Sequence, residues 1–104
     1  MSEIMITKEN IEEVLSGNKP VLFDFYADWC GPCQKLMPVI HEVADEMKDQ
    51  VIVGKINVDD QMELAGMYGV STIPTLMVFK DGKRINRSVG YIPKDNIVDM
   101  LKAV

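Results

Sequence analysis

The chain has 104 residues, 47% hydrophobic and 26% charged, with a formal net charge of −5. That composition describes one folded domain with its own core, and it excludes a disordered or fibrous chain. The acidic balance argues against nucleic acid as the main partner, since phosphate recognition needs clustered Lys and Arg, and no apolar run reaches the ~18 residues of a membrane helix.

In chain order, Ile4 to Ile6 is a short strand candidate. Thr7 can cap a helix that places Ile11, Val14 and Leu15 on one face and stops at Gly17. After Pro20, the run Val21–Ala27 is apolar on both faces, as a central parallel strand should be, with Asp24 as the exception. From Cys33 to about Lys48 the period is helical. Leu36, Ile40, Val43, Ala44 and Met47 line one side, His41, Glu42, Asp45 and Glu46 line others, and Pro38 should kink the helix.

Val51 to Val58 reads as a second core strand. Asp60 and Glu63 have capping-box spacing for a short helix through Leu64, Met67 and Tyr68 that stops at Gly69. Thr75 to Phe79 is a third core strand, and Asp81-Gly82 is a hairpin signal leading into an alternating strand at Ile85, Arg87 and Val89. Pro93 opens a last helix with Ile97, Met100, Leu101 and Val104 on its buried face. The order is βαβαβαββα, which predicts an α/β fold with parallel pairing, helices on both faces and antiparallel strands added by the final hairpin.

The only two cysteines, Cys30 and Cys33, lie three positions apart in Trp29-Cys-Gly-Pro-Cys33, where the central strand gives way to the long helix. Unpaired backbone N–H groups and the positive end of the helix dipole gather there and favour a thiolate. Cys30 should therefore be the more acidic thiol that attacks a substrate disulfide, and Cys33, one turn further in, the thiol that resolves the mixed disulfide. Gly31 lets another chain approach closely, and Pro32 fits the first helical turn. A zinc site would want about four ligands, and His41 is the only other soft ligand, so no metal is expected. His41 itself reads as a surface histidine, and Lys83, Arg84 and Arg87 as a solvated basic edge. Met1 to Ile6 shows no basic segment followed by an apolar stretch, so no signal peptide and a cytoplasmic location are expected.

Asp24 has two readings from the residues alone. Buried without a partner, it would have a raised pKa and could take the proton from Cys33; otherwise its carboxylate reaches solvent or pairs with a neighbour. Lys55 breaks its strand in the same way, and snorkelling to the surface is its alternative.

Taken together, Phe23-Asp-Phe25, Trp29–Cys33, Pro38, Lys55-Ile-Asn-Val-Asp59, Ile73-Pro-Thr75, Asp81-Gly82 and Val89-Gly90 resemble the thioredoxin family in order and spacing over nearly the whole chain. The resemblance implies a thioredoxin fold. This is a single three-layer domain over residues 1–104 with a central mixed five-stranded sheet and four helices. It implies a protein-disulfide reductase and electron carrier whose redox disulfide joins Cys30 and Cys33. It assigns Asp24 the proton transfer, with Lys55 beside it, and makes the Ile73–Pro74 bond cis and opposite the cysteines. Trp29, Gly31, Pro32, Ile73, Pro74 and Gly90 form the implied substrate surface. Disulfide-containing proteins are the substrates, a thioredoxin reductase-type protein is the electron donor, and a monomer without cofactor is expected. Two positions depart from the family pattern: Gln34, where relatives often carry Lys or Arg, and Tyr91, where many carry a small residue. A glutaredoxin-like or isomerase-like enzyme is disfavoured because Gly-Pro stands between the cysteines. A non-enzymatic binding module around Trp29 and Pro74 is the other alternative.

Overall fold

Val21–Tyr26 is buried at every position, as its apolar run predicts, and takes the centre of the sheet. In the computed structural model, which describes residues 2–104, the elements are β1 (Glu3–Met5), α1 (Ile11–Leu15), β2 (Val21–Tyr26), α2 (Gly31–Glu46), β3 (Ile52–Asn57), α3 (Met62–Met67), β4 (Thr75–Lys80), β5 (Lys83–Val89) and α4 (Lys94–Lys102). Met1, the first residue of the expected 1–104 domain, lies outside the described residues. The sheet order is β1-β3-β2-β4-β5.

Strand alternation divides the core into two layers. Leu22, Val53, Leu76 and Val78 meet Leu36, Ile40 and Val43 of α2 and Ile97 and Leu101 of α4 on one face. Phe23, Phe25, Ile56, Met77 and Phe79 meet Ile11 of α1 and Leu64 of α3 on the other. The expected mixed sheet with helices on both faces is therefore present.

One pairing differs from simple strand–helix alternation. β1, β3 and β2 are parallel, but β4 runs antiparallel to β2, with Thr75 opposite Phe25. The chain therefore re-enters the sheet at the edge where β2 and β3 end, and the same edge receives the end of β5, since Val89 pairs with Thr75.

Several local signals act differently in the fold. Thr7 Oγ1 accepts from Glu9 N–H in a turn before α1, which starts only at Ile11; its C-cap is Ser16, directly before Gly17. The Asp60/Glu63 capping box does not form. Instead Asn57 Oδ1 accepts from the N–H groups of Asp59 and Asp60, and Gln61 precedes α3 without a side-chain cap. Gly69 stops that helix as expected, with Gly69 and Val70 N–H groups returning to Gly66 and Ala65. Pro93 lies one place before α4, and Val104 falls past its end and is exposed. The helix α2 continues through Pro38.

Asp81 and Gly82, with φ of 53° and 78°, form the two-residue hairpin turn between β4 and β5. Past the turn, a bulge opposite Val78/Phe79 takes Ile85 out of register. Ile85, Arg87 and Val89 are all exposed on this edge strand. Lys83, Arg84 and Arg87 form its solvated basic face, with Arg87 donating to the Gly69 carbonyl (3.2 Å).

His41 is not a free surface histidine. It turns toward β1 and pairs with Glu3, whose side chain is nearly buried, so it ties the edge strand to α2. Contact at the next strand is just as close. A Cβ at Gly54 would stand 2.5 Å from Ile6 Cγ1 and 3.0 Å from Phe23 Cδ1. Gly54→Ala should therefore destabilise the protein by about 1–3 kcal/mol through overpacking, read as a lower urea midpoint at unchanged slope.

Candidate functional site

The edge where β2 and β3 end and β4 begins carries the cysteine pair. Cys30 is the N-cap residue of α2, extended at φ −88°, ψ 113°, and its carbonyl accepts the first intrahelical bond from Gln34 (3.1 Å). Cys33, three residues in, lies one turn along the helix. The two are joined as a disulfide with their Cα atoms 5.2 Å apart. Cys33 N–H donates to Cys30 Sγ (3.2 Å). This is an otherwise orphaned helix-start donor aimed at the sulfur that would carry negative charge after reduction.

Burial makes the pair unequal. Cys33 is fully buried, whereas Cys30 retains 5% of its surface. The pair is thus less open than a surface motif suggests, although its surroundings are exposed. Trp29 is 72% exposed, and Gly31 and Pro32 face solvent. A Cβ at Gly31 would meet nothing within 4 Å, so the space beside Gly31 is open.

The start of β4 supplies the opposite wall. The Ile73–Pro74 bond is cis, as the family resemblance implies, and the Ile73 carbonyl oxygen lies 3.9 Å from Cys30 Sγ. No other backbone group among the described residues pairs with the Ile73 N–H or carbonyl. Gly90, at φ 92°, directs its N–H to the Pro74 carbonyl (2.8 Å), a conformation that side-chain-bearing residues adopt only under strain. Tyr26, Ala27, Cys30 and Cys33 form a small apolar cluster beneath, with Met37, Val58 and Ile73 against it.

Asp24 lies on the α2 face of β2, between Leu22 and Tyr26 in the strand alternation. It is completely buried, and neither carboxylate oxygen has a hydrogen-bond partner. The reading in which it reaches solvent is therefore wrong. Loss of water pushes its pKa up to about 7, and the Lys55 charge offsets part of that rise. Lys55 is its register partner on β3 and extends its ammonium over the Tyr26 ring, 5.0 Å from the centroid. Lys55 is half-buried and stands beside Asp24 in register, and its half-burial also fits a snorkelling lysine.

Three contributors were not readable as site residues. Asp59 Oδ2 accepts from the Trp29 indole N–H (2.9 Å) and sets that ring beside the cysteines. Buried Thr75 donates to the Thr72 carbonyl (2.5 Å) and braces the turn that carries Ile73 and Pro74. Asn57 holds the turn that presents Asp59. The only signal for Asp59 was its place at the end of Lys55–Asp59; its partner is 30 residues away.

Among the described residues no group of three or more His, Cys, Asp or Glu side chains is arranged to hold a metal, and no helix is long and apolar enough to cross a membrane. A family model described as Thioredoxin matches residues 2–103. Thioredoxin 1 of Synechococcus elongatus is 48% identical over 90 residues, 86% of this chain and 84% of that protein. The thioredoxin of Alicyclobacillus acidocaldarius is 41% identical over 99 residues, 95% and 94% of the two chains. Among solved structures, a mutant thioredoxin from Halobacterium salinarum superposes with a TM-score of 0.91 at 39% identity, covering 98% of this chain and 89% of that one.

Proposed function

We infer how the work is divided at this site in a chain that belongs to the thioredoxin family. The fold is the thioredoxin fold, and the protein is a thiol-disulfide oxidoreductase acting through Cys30 and Cys33. Its substrates are disulfide-containing proteins, and a reductase returns it to the dithiol form.

In the forward reaction, the Cys30 thiolate attacks one sulfur of a substrate disulfide. A Cys30–substrate disulfide forms, and the other substrate sulfur leaves as a thiolate. Cys33 then attacks Cys30 Sγ, the intramolecular disulfide forms, and the second substrate sulfur leaves. Two electrons pass from the dithiol to the substrate. The Cys33 proton passes to Asp24, whose pKa of about 7 suits it to accept at neutral pH and to release afterwards. Lys55 limits how far burial raises that pKa. The observation that carries this reading is the Cys30–Cys33 disulfide at the start of α2, with Cys33 the more deeply buried of the two.

The substrate approaches over Gly31 and Pro32. An extended segment pairs with the free backbone of Ile73 beside Pro74, in the manner of an added strand. Trp29 supplies an apolar flank, and Gly90 keeps the Pro74 carbonyl in place. Residues 1–104 act as one domain and as a monomer. The working compartment is the cytoplasm, where a dithiol is kept reduced and structural disulfides are rare.

Dithiothreitol-driven reduction of insulin tests the reading, followed alongside the fluorescence of Trp29, the only tryptophan. Catalysis should be accompanied by a change in Trp29 emission between the oxidised and reduced forms. Asp59→Ala should lower Trp29 fluorescence anisotropy. It should also reduce kcat/KM for a protein disulfide by about five-fold, the worth of roughly 1 kcal/mol in a hydrogen bond. An unchanged anisotropy would remove Asp59 from the site.

A further inference from the structure

The two rims of this site carry opposite charge. Past the ends of β2 and β3 stand Asp28, Asp59 and Asp60, all exposed, with Asp59 already engaged by Trp29. On the β5 side, beyond Ile73 and Pro74 in the sheet order, the chain leaves Gly90 and turns through Tyr91 into α4. There Lys35 of α2 sets its ammonium 4.6 Å from the centroid of the Tyr91 ring. This contact bridges α2 and the 90–93 connection, next to the backbone bond from Gly90 to Pro74.

The charge on Lys35 is not consumed within the protein. Among the described residues it makes no ion pair, unlike Lys8 with Glu63 and Lys94 with Glu46. Its helical neighbours at i±3 and i±4 are Pro32, Gly31, Pro38 and Val39, none of them acidic. Gln34 faces elsewhere, donating to the Asp28 carbonyl (3.2 Å). An aromatic face holds a cation in one place without neutralising it. The result is a fixed positive group on an otherwise acidic protein, on one side of the position a substrate segment takes.

We propose that Lys35, seated on Tyr91, is a specificity-determining group that selects disulfides carrying Asp or Glu beside the reacting cysteine on the β5 side of the groove. The inference rests on the exchange reaction at Cys30 described above. A carboxylate there meets the ammonium, whereas a lysine there meets a like charge. Turned end for end, the same segment brings its carboxylate to Asp28, Asp59 and Asp60. The opposed rims therefore also favour one direction of the bound strand.

The test uses short cysteine peptides joined by a disulfide to thionitrobenzoate, with Gln, Glu or Lys placed just before or just after the cysteine. Pre-reduced protein is mixed with each peptide, and thionitrobenzoate release is timed. Lys35→Gln should lower the Glu-to-Lys rate ratio for one of the two placements by about two- to five-fold, the range an exposed ion pair supplies. Salt should shrink the wild-type ratio. Tyr91→Ala should lower the ratio and Tyr91→Phe keep it, while Lys35→Arg should restore it, since a guanidinium also stacks on an aromatic face. Lys102→Gln, at the far end of α4, controls for the change in net charge. If Lys35→Gln slows all peptides equally, or shifts the ratio no more than Lys102→Gln, the proposal is overturned. If wild-type protein releases no thionitrobenzoate even from the Gln peptide, the exchange reading itself fails.

Discussion

Cys30→Ser abolishes turnover, lowering insulin reduction by roughly a thousand-fold or more, the scale on which loss of a nucleophile acts. Cys33→Ser has a different outcome. Cys30 still attacks, but nothing resolves the product, so substrate accumulates on the protein as a stoichiometric disulfide that dithiothreitol releases. The asymmetry follows from placement. Cys30 is the N-cap residue, keeps some exposed surface and receives the Cys33 N–H. Cys33 has no exposed surface from which to meet a substrate first. Non-reducing electrophoresis and mass spectrometry of the trapped species check both halves. Equal trapping by Cys30→Ser through Cys33 would overturn the assigned asymmetry.

Asp24→Asn has the second large effect, and it appears in stability as well as in rate. The folded pKa of about 7 lies above the ordinary value of 3.8. Between those values the unfolded chain has released a proton that the folded protein still holds, so stability falls as pH rises. The favourable contribution is full below the unfolded value and is lost as pH rises through about 7. The variant has no such group. Its stability relative to wild type should therefore rise between pH 4 and pH 8 by up to roughly 4 kcal/mol, three pH units at 1.36 kcal/mol each. Urea denaturation of both oxidised proteins at the two pH values measures it. A difference that stays flat with pH would mean that Asp24 does not titrate in this window.

The same change removes the proton acceptor for Cys33. The mixed disulfide should then resolve about a hundred-fold more slowly near neutral pH, at the low end of what a positioned general base contributes. Lys55→Met separates position from charge. It leaves the carboxylate in place but removes the group that lowers its pKa, so the pH window of both effects should move upward.

The sheet order shows why these effects converge on one edge. β2 delivers Asp24 and the strand end before Trp29, β3 delivers Lys55 and Asp59, and β4 delivers Ile73 and Pro74. Because β4 runs antiparallel to β2, it begins beside the cysteines rather than at the opposite end of the sheet. The antiparallel entry of β4, which strand–helix alternation alone did not foretell, is therefore a condition of the site.

By itself the sequence determined what local chemistry and period can encode. Two cysteines three apart at a helix start, a strand apolar on both faces, Asp81-Gly82 between alternating runs and the spaced thioredoxin landmarks all act over a few residues. They lead to the same fold and dithiol chemistry that the structure and its relatives display. Only the tertiary structure decided whether Asp24 is dry and unpartnered, because desolvation sums the exclusion of water by many residues from several elements. It also decided the capping at Asn57, the pairing of His41 with Glu3, and the meetings of Trp29 with Asp59 and Lys35 with Tyr91. These contacts join side chains far apart along the chain, whose encounter depends on how the strands pair and the helices pack, and no local spacing specifies that.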